Sequence, residues 1–184
     1  MIAVGYMAKY VASAPDAPGF EAVEDLYSVS PCLSAYFADY IGRWKHNGFW
    51  LFDSPELIGL VAAESGRDLE GTTLFYYEAC GQEFDTSAGG WSSFDREASL
   101  TTAVSPPVNQ TLHGYDVVSF SAGAGPECSP LSCNGLASRV EVDRHCLLAS
   151  AGEARRLLES GLFADAEPGP YRIFAVHSVP WPGS

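Results

Sequence analysis

Three of the five cysteines and one of the four histidines fall within nineteen residues, as Cys128, Cys133, His145 and Cys146. Thiolate sulfur and imidazole nitrogen are the donors of tetrahedral zinc, and a thiol beside a base is a nucleophile. The spacing argues against the metal. Four, eleven and zero residues separate successive candidates, whereas structural zinc sites keep the ligands of a pair two to four apart. On an extended chain, adjacent His145 and Cys146 would also face opposite ways. No metal is expected, and Cys128, Cys133, His145 and Cys146 are the ligands against which that expectation is checked.

Cys133 is the candidate nucleophile. It stands between Ser132 and Asn134-Gly135, in a segment entered through Gly123-Ala124-Gly125-Pro126. Backbone N–H groups converging at such a turn would bind an oxyanion or lower a thiol pKa. His145 and His113 are the candidate bases, with His46 and His177 also present; such partners meet only in the fold. A small cysteine-dependent enzyme built on Cys133 and a histidine is therefore one functional expectation. The glycines before Cys128 lack the Lys-Ser/Thr of a phosphate loop, and no serine nucleophile elbow occurs.

Charge points to another class. The 184 residues carry 10 basic and 23 acidic groups, a formal charge of −13. Such a surface repels phosphate backbones and anionic lipid, and it steers basic proteins inward. The first expectation is thus an acidic cytoplasmic protein-binding module, of the inhibitor or immunity type, for a basic partner, with no nucleic acid, membrane or cofactor involved. Its binding residues are sought in the acids that follow Arg67 without an intervening base: Asp68, Glu70, Glu78, Glu83 and Asp85. Trp91 and Phe94, set among Gly89-Gly90 and Ser92-Ser93, are candidate surface anchors for the same interface. An odd cysteine count, an N-terminus without a basic n-region and short apolar runs all fit a reducing cytoplasm with free thiols.

With 47% apolar and 18% charged residues, the chain is expected to form one globular domain over 1–184. Helix ends are its clearest local signals. Ser30-Pro31 opens a helix that Asn47-Gly48 closes, with Leu33, Phe37, Tyr40, Ile41 and Trp44 on one stripe. Ser54-Pro55-Glu56 opens a second that stops at Gly66. Ser150 with Glu153 opens a third that stops at Gly161. The second and third helices sit in similar surroundings about half a chain apart: apolar strand, serine cap, Glu-Ser-Gly stop, aromatic strand. Strands are also expected at Ile2–Val11, Tyr115–Ser121 and Arg139–Val142. Polar, Gly/Ser-rich residues 81–114 are expected to form a long irregular excursion. The fold class that follows is α+β: a mixed sheet with three short-to-medium helices, built from two βαβ-like halves.

Overall fold

The computed structural model describes residues 1–32, 49–94, 104–121 and 126–183. The helix expected over 31–46 lies, from residue 33 onward, outside them. The other two form as their caps dictate. In α1 (Pro55–Ser65) the Ser54 side chain accepts from the Leu57 N–H, and Gly66 at φ 66° ends the helix. In α3 (Ala151–Glu159) Ser150 accepts from the Glu153 N–H, while the Glu153 carboxylate reaches back to the Ala149 N–H.

In chain order the strands are β1 (Ile2–Lys9), β2 (Ala12–Ser13), β3 (Asp25–Leu26), β4 (Thr73–Asp85), β5 (Gly90–Ser93), β6 (Thr111–Ser119) and β7 (Tyr171–Val179). The main sheet runs β1-β4-β7-β6, with β5 folded back on the far end of β4; β2 and β3 make a separate ribbon. Every ladder among the described residues is antiparallel. The central pair β4 and β7 carries the near-continuous apolar runs of the chain, as burial on both faces requires.

The two halves repeat one design. Each outer strand has a register shift immediately before a Gly-Tyr pair: Gly5-Tyr6 in β1 and Gly114-Tyr115 in β6. Tyr6 then exchanges both backbone hydrogen bonds with Phe52, at 2.7 and 2.9 Å. Tyr115 does the same with Leu148, both at 2.9 Å. A serine-capped helix follows two residues later in each half, and then the inner strand. Because Phe52 and β4 are both antiparallel to β1, they run parallel to each other with β1 between them. Leu148, β6 and β7 stand in the same relation. Each half is therefore a βαβ unit with a strand inserted, and the expected α+β architecture with two βαβ-like halves is the one observed.

Three expectations need correction. Arg139–Val142 is not a strand; a 3-10 turn, Leu136–Ser138, precedes it, and Val140 and Val142 pack half-buried on the core. The excursion expected over 81–114 is regular at both ends, since β4 continues to Asp85, turns into β5, and β6 begins at Thr111. Residues 95–103 of it lie outside the described ones. Cys128–Cys133, expected as a plain turn, contains one helical turn, α2 (Pro130–Cys133). No helix among the described residues is long and apolar enough to cross a membrane.

Two apolar clusters hold the elements. Ile58, Val61 and Ala62 of α1 join Val4, Tyr6, Leu74 and Tyr76 in one. Ala154 and Leu158 of α3 join Val117, Ile173, Leu131 and Phe163 in the other. Close approach of Leu147-Leu148 to β6 requires Gly114: a Cβ there would stand 2.7 Å from Leu147 Cβ and 2.9 Å from Leu148 O. Gly114→Ala should therefore lower the unfolding free energy by about 2 kcal/mol. Gly59→Ala, in α1 with nothing near its added Cβ, should raise it by about 0.5–1 kcal/mol. Urea melts of the two variants check the pair, and equal effects would contradict the packing described.

Candidate functional site

The described residue group that could hold a metal is not the one expected from spacing. It comprises Cys32, Cys128 and Cys133, whose sulfurs all lie within 4.8 Å of one another. All five cysteines are free thiols. Three separate pieces of chain bring the sulfurs together. Cys128 is tied to the end of β6, its carbonyl accepting from Ser119 N–H at 2.8 Å. Cys133 closes α2, its N–H donating to Ser129 O at 2.9 Å. Cys32 arrives on the segment after β3, and its thiol donates to Glu127 O at 3.1 Å.

Beneath the thiols lies a buried polar layer. Asp116, 1% exposed, accepts from Val29 N–H and Val117 N–H, each at 2.8 Å, and from the Ser129 hydroxyl at 2.6 Å. Ser28 donates its hydroxyl to Ser129 Oγ at 2.8 Å and stands 3.1 Å from Ser30 Oγ. Ser30 Oγ in turn stands 3.8 Å from Cys133 Sγ. Lys9, also 1% exposed, donates from Nζ to Ser30 O at 2.9 Å and to Ser28 O. Ser129 occupies the N-cap position of α2 without capping it, because its hydroxyl is directed at Asp116.

This arrangement favours a thiolate at Cys133. Its pKa is pushed down to about 5, first by the Cys128 thiol directed at it and then, against the cost of burial, by Cys32, the Ser129 backbone and Ser30. The Cys128 thiol is correspondingly pushed up, chiefly by that same hydrogen bond. Asn134 Oδ1, at 3.5 Å, is another acceptor within its reach. Burial raises Cys32, and its hydrogen bond to Cys133 adds to the rise. The two ions behind them are shifted toward neutrality by burial. Asp116 is raised to about 6 despite its bonds from Ser129 and Val29, and Lys9 is lowered to about 7 despite the attraction of Asp116.

Of the residues expected here, Cys133 and Cys128 belong to the cluster, and His145 and Cys146 do not. His145 pairs with Asp25 through Nδ1 and stacks on Tyr27 with centroids 4.0 Å apart. His113 lies edge-on to both rings and bonds Ser178 Oγ at 2.7 Å. Buried Cys146 adopts φ 62° and its thiol is pushed up to about 12 by burial. No described histidine is hydrogen-bonded to Cys133, so the expected Cys–His pair is absent among the described residues; His46 lies outside them. A cleft of about 750 Å³ is lined by Tyr6, Asp53, Glu56, Asn109 and Trp181 and holds none of the cysteines. The hydrogen-bonded chemistry, rather than that cleft, marks the site.

The expected acidic interface is largely committed to internal bonds. Glu83 pairs with buried Arg172 at 3.0 Å, and Asp85 accepts from Ser87 and Ala88 N–H groups in the β4–β5 turn. Asp68 accepts from Glu70 N–H, and Glu78 accepts from the Tyr76 hydroxyl. Trp91 donates to Glu159 at 2.8 Å with the Arg155 guanidinium 3.9 Å above its ring. Phe94, expected at the surface, is half-buried under the Arg172 guanidinium at 3.4 Å. Comparison with protein-family models, curated proteins and solved structures finds no match.

Cys32, Lys9, Asp116, Ser28, Ser30 and Ser129 were not singled out as site residues from sequence. A charged residue within an otherwise apolar strand is the signal that marks Lys9 and Asp116; no local pattern marks the other four.

The buried ions set a pH dependence with opposite signs. Asp116 is near 6 folded and about 4 unfolded, so the folded state holds its proton longer, and this stability is lost as pH rises from about 4 to about 6. Lys9 is near 7 folded and about 10.4 unfolded; its contribution is present above the unfolded value and lost as pH falls through about 7. Wild-type stability measured relative to Asp116→Asn should therefore decline between pH 4 and pH 6. A difference independent of pH would contradict the buried, proton-retaining carboxyl.

Proposed function

We propose that this chain is a cysteine-dependent enzyme of thiol–disulfide chemistry, with Cys133 as nucleophile and Cys128 as resolving thiol. The convergence of three sulfurs within 4.8 Å carries this reading. A second thiol at that distance is what disulfide exchange needs. Acyl transfer needs a base, and Cys133 has no histidine partner among the described residues. In the reaction the Cys133 thiolate attacks one sulfur of a substrate disulfide, forming a mixed disulfide and expelling a thiolate. Cys128 then passes its proton to the expelled thiolate and attacks Cys133 Sγ, expelling the second thiolate. Two electrons pass from the dithiol to the substrate, and a low-molecular-weight thiol of a reducing cytoplasm regenerates the pair. Five free thiols fit that compartment.

An acidic module for a basic protein is the second reading, favoured by the net charge of −13. Its interface would centre on Asp68 and Glu70, which the fold leaves exposed.

A chromogenic aryl disulfide tests the first reading. The reduced chain should release one aryl thiolate rapidly and a second by intramolecular resolution, leaving a Cys128–Cys133 bridge that peptide mapping identifies. Cys133→Ser should abolish the rapid release, and Cys128→Ser should stop at one equivalent. Initial attack by Cys80 or Cys32, or an unchanged first phase in Cys133→Ser, would overturn the assignment.

A further inference from the structure

We infer that Cys32, Cys128 and Cys133 form a three-thiolate site for a soft, filled-shell metal ion of the zinc class. The inference goes beyond the exchange chemistry and rests on placement alone. On a tetrahedron with metal–sulfur bonds of about 2.3 Å, three sulfurs stand about 3.8 Å apart. The observed sulfurs, within 4.8 Å of one another, reach that spacing by side-chain rotation and small shifts. Each is held by an element that brings its own second contact. Asn134 Oδ1 lies 3.5 Å from Cys128 Sγ and Glu127 O 3.1 Å from Cys32 Sγ, and the Ser30 and Ser132 hydroxyls lie 3.8 and 3.9 Å from Cys133 Sγ. On metal binding the thiol protons leave, and the Ser30 hydroxyl remains as a donor to Cys133 Sγ, an outer contact of the kind that orients ligands in metal sites.

Three protein donors leave the fourth position of a tetrahedron to water or a small exogenous ligand, the open arrangement of reactive rather than purely structural zinc. Thiolate donors select soft ions over magnesium or calcium. Cys80 and Cys146 lie outside the cluster. Cys80 meets Met1 Sδ at 3.3 Å, and Cys146 is buried in the second apolar cluster. They serve as internal controls.

Spacing alone missed this site because it counts neighbours along the chain. Cys32 is 96 residues from Cys128, and only the fold brings it in.

Cadmium, which reports thiolate ligation by near-ultraviolet charge-transfer absorption, is the probe, with zinc in competition against a chromogenic chelator. The full chain, reduced under inert gas, should bind one cadmium with the absorption of three thiolates, and zinc should displace it. Cys32→Ser, Cys128→Ser and Cys133→Ser should each weaken cadmium at least about 100-fold, the upper end of what losing an outer partner of a ligand costs. Cys80→Ser and Cys146→Ser should leave the affinity unchanged. Circular dichroism confirms that each variant is folded; a Cys128→Ser that unfolds is replaced by selective alkylation of Cys133, the most reactive thiol, in the wild type, with the same loss expected. Absence of one-to-one cadmium binding, wild-type affinity in Cys32→Ser, or a loss confined to Cys80→Ser or Cys146→Ser would each overturn the site. Cys32→Ser also separates the two proposals, since it should lose the metal while Cys133 still releases the first aryl thiolate, more slowly because Cys32 is one of the groups that favour its thiolate. Loss of both in that variant would overturn the view that metal binding and exchange are separable.

Discussion

The Asp116 carboxylate is the constraint on which the site depends. Buried to 1% exposure, it must find hydrogen-bond donors or stay protonated, because an isolated ionised carboxylate in an apolar interior costs several kcal/mol. It finds three, and each belongs to a different part of the chain: Val117 in its own strand, Val29 in the segment after β3, and Ser129 at the start of α2. Satisfying this one group fixes the two loops that carry Cys32 and the Cys128–Cys133 pair against the end of β6. Lys9 adds a second tie, holding the Ser28 and Ser30 carbonyls to the end of β1. The thiols meet where these two buried ions require their loops to be.

The repeat of the two halves shows where that demand entered. Aligning Gly5-Tyr6 with Gly114-Tyr115 sets Met7 against Asp116 and Lys9 against Val118. Met7 and Val118 are fully buried apolar residues. Each half thus carries one ion at a position its counterpart keeps apolar, and both ions face the same loops. Departure from the repeat makes the site; agreement with it makes the sheet.

Much of the fold was legible because its signals are local. Ser54 and Ser150 cap helices where they stand, Gly66 ends one, and the apolar runs of β4 and β7 mark the sheet centre without reference to anything distant. Arg139–Val142 misled because its apolar residues pack on the core from an irregular segment rather than a ladder. Two of the three clustered thiols were legible, since Cys128 and Cys133 share a turn. Cys32 was not, because it reads as the start of a capped helix and reaches its partners through a hydrogen-bond network that no periodicity records. Histidines drew attention for their chemistry, yet His113 and His145 are spent on Tyr27, Ser178 and Asp25. Lys9 stands out in β1 as a charge within an apolar strand, and its buried carbonyl partners reveal why the strand tolerates it.

The buried Asp116–Ser129–Ser28–Ser30 network positions the three cysteines so that the neighbouring thiols hold Cys133 as a thiolate. Competitive alkylation of all five cysteines in folded Ser129→Ala, read by peptide mapping at neutral pH, tests it most directly. Removing that hydroxyl breaks the bond to Asp116 and the contact from Ser28, so Cys133 should lose its thiolate character and react on the order of tenfold more slowly, while Cys80 keeps its wild-type rate. An unchanged Cys133 rate in a folded Ser129→Ala chain would contradict the account.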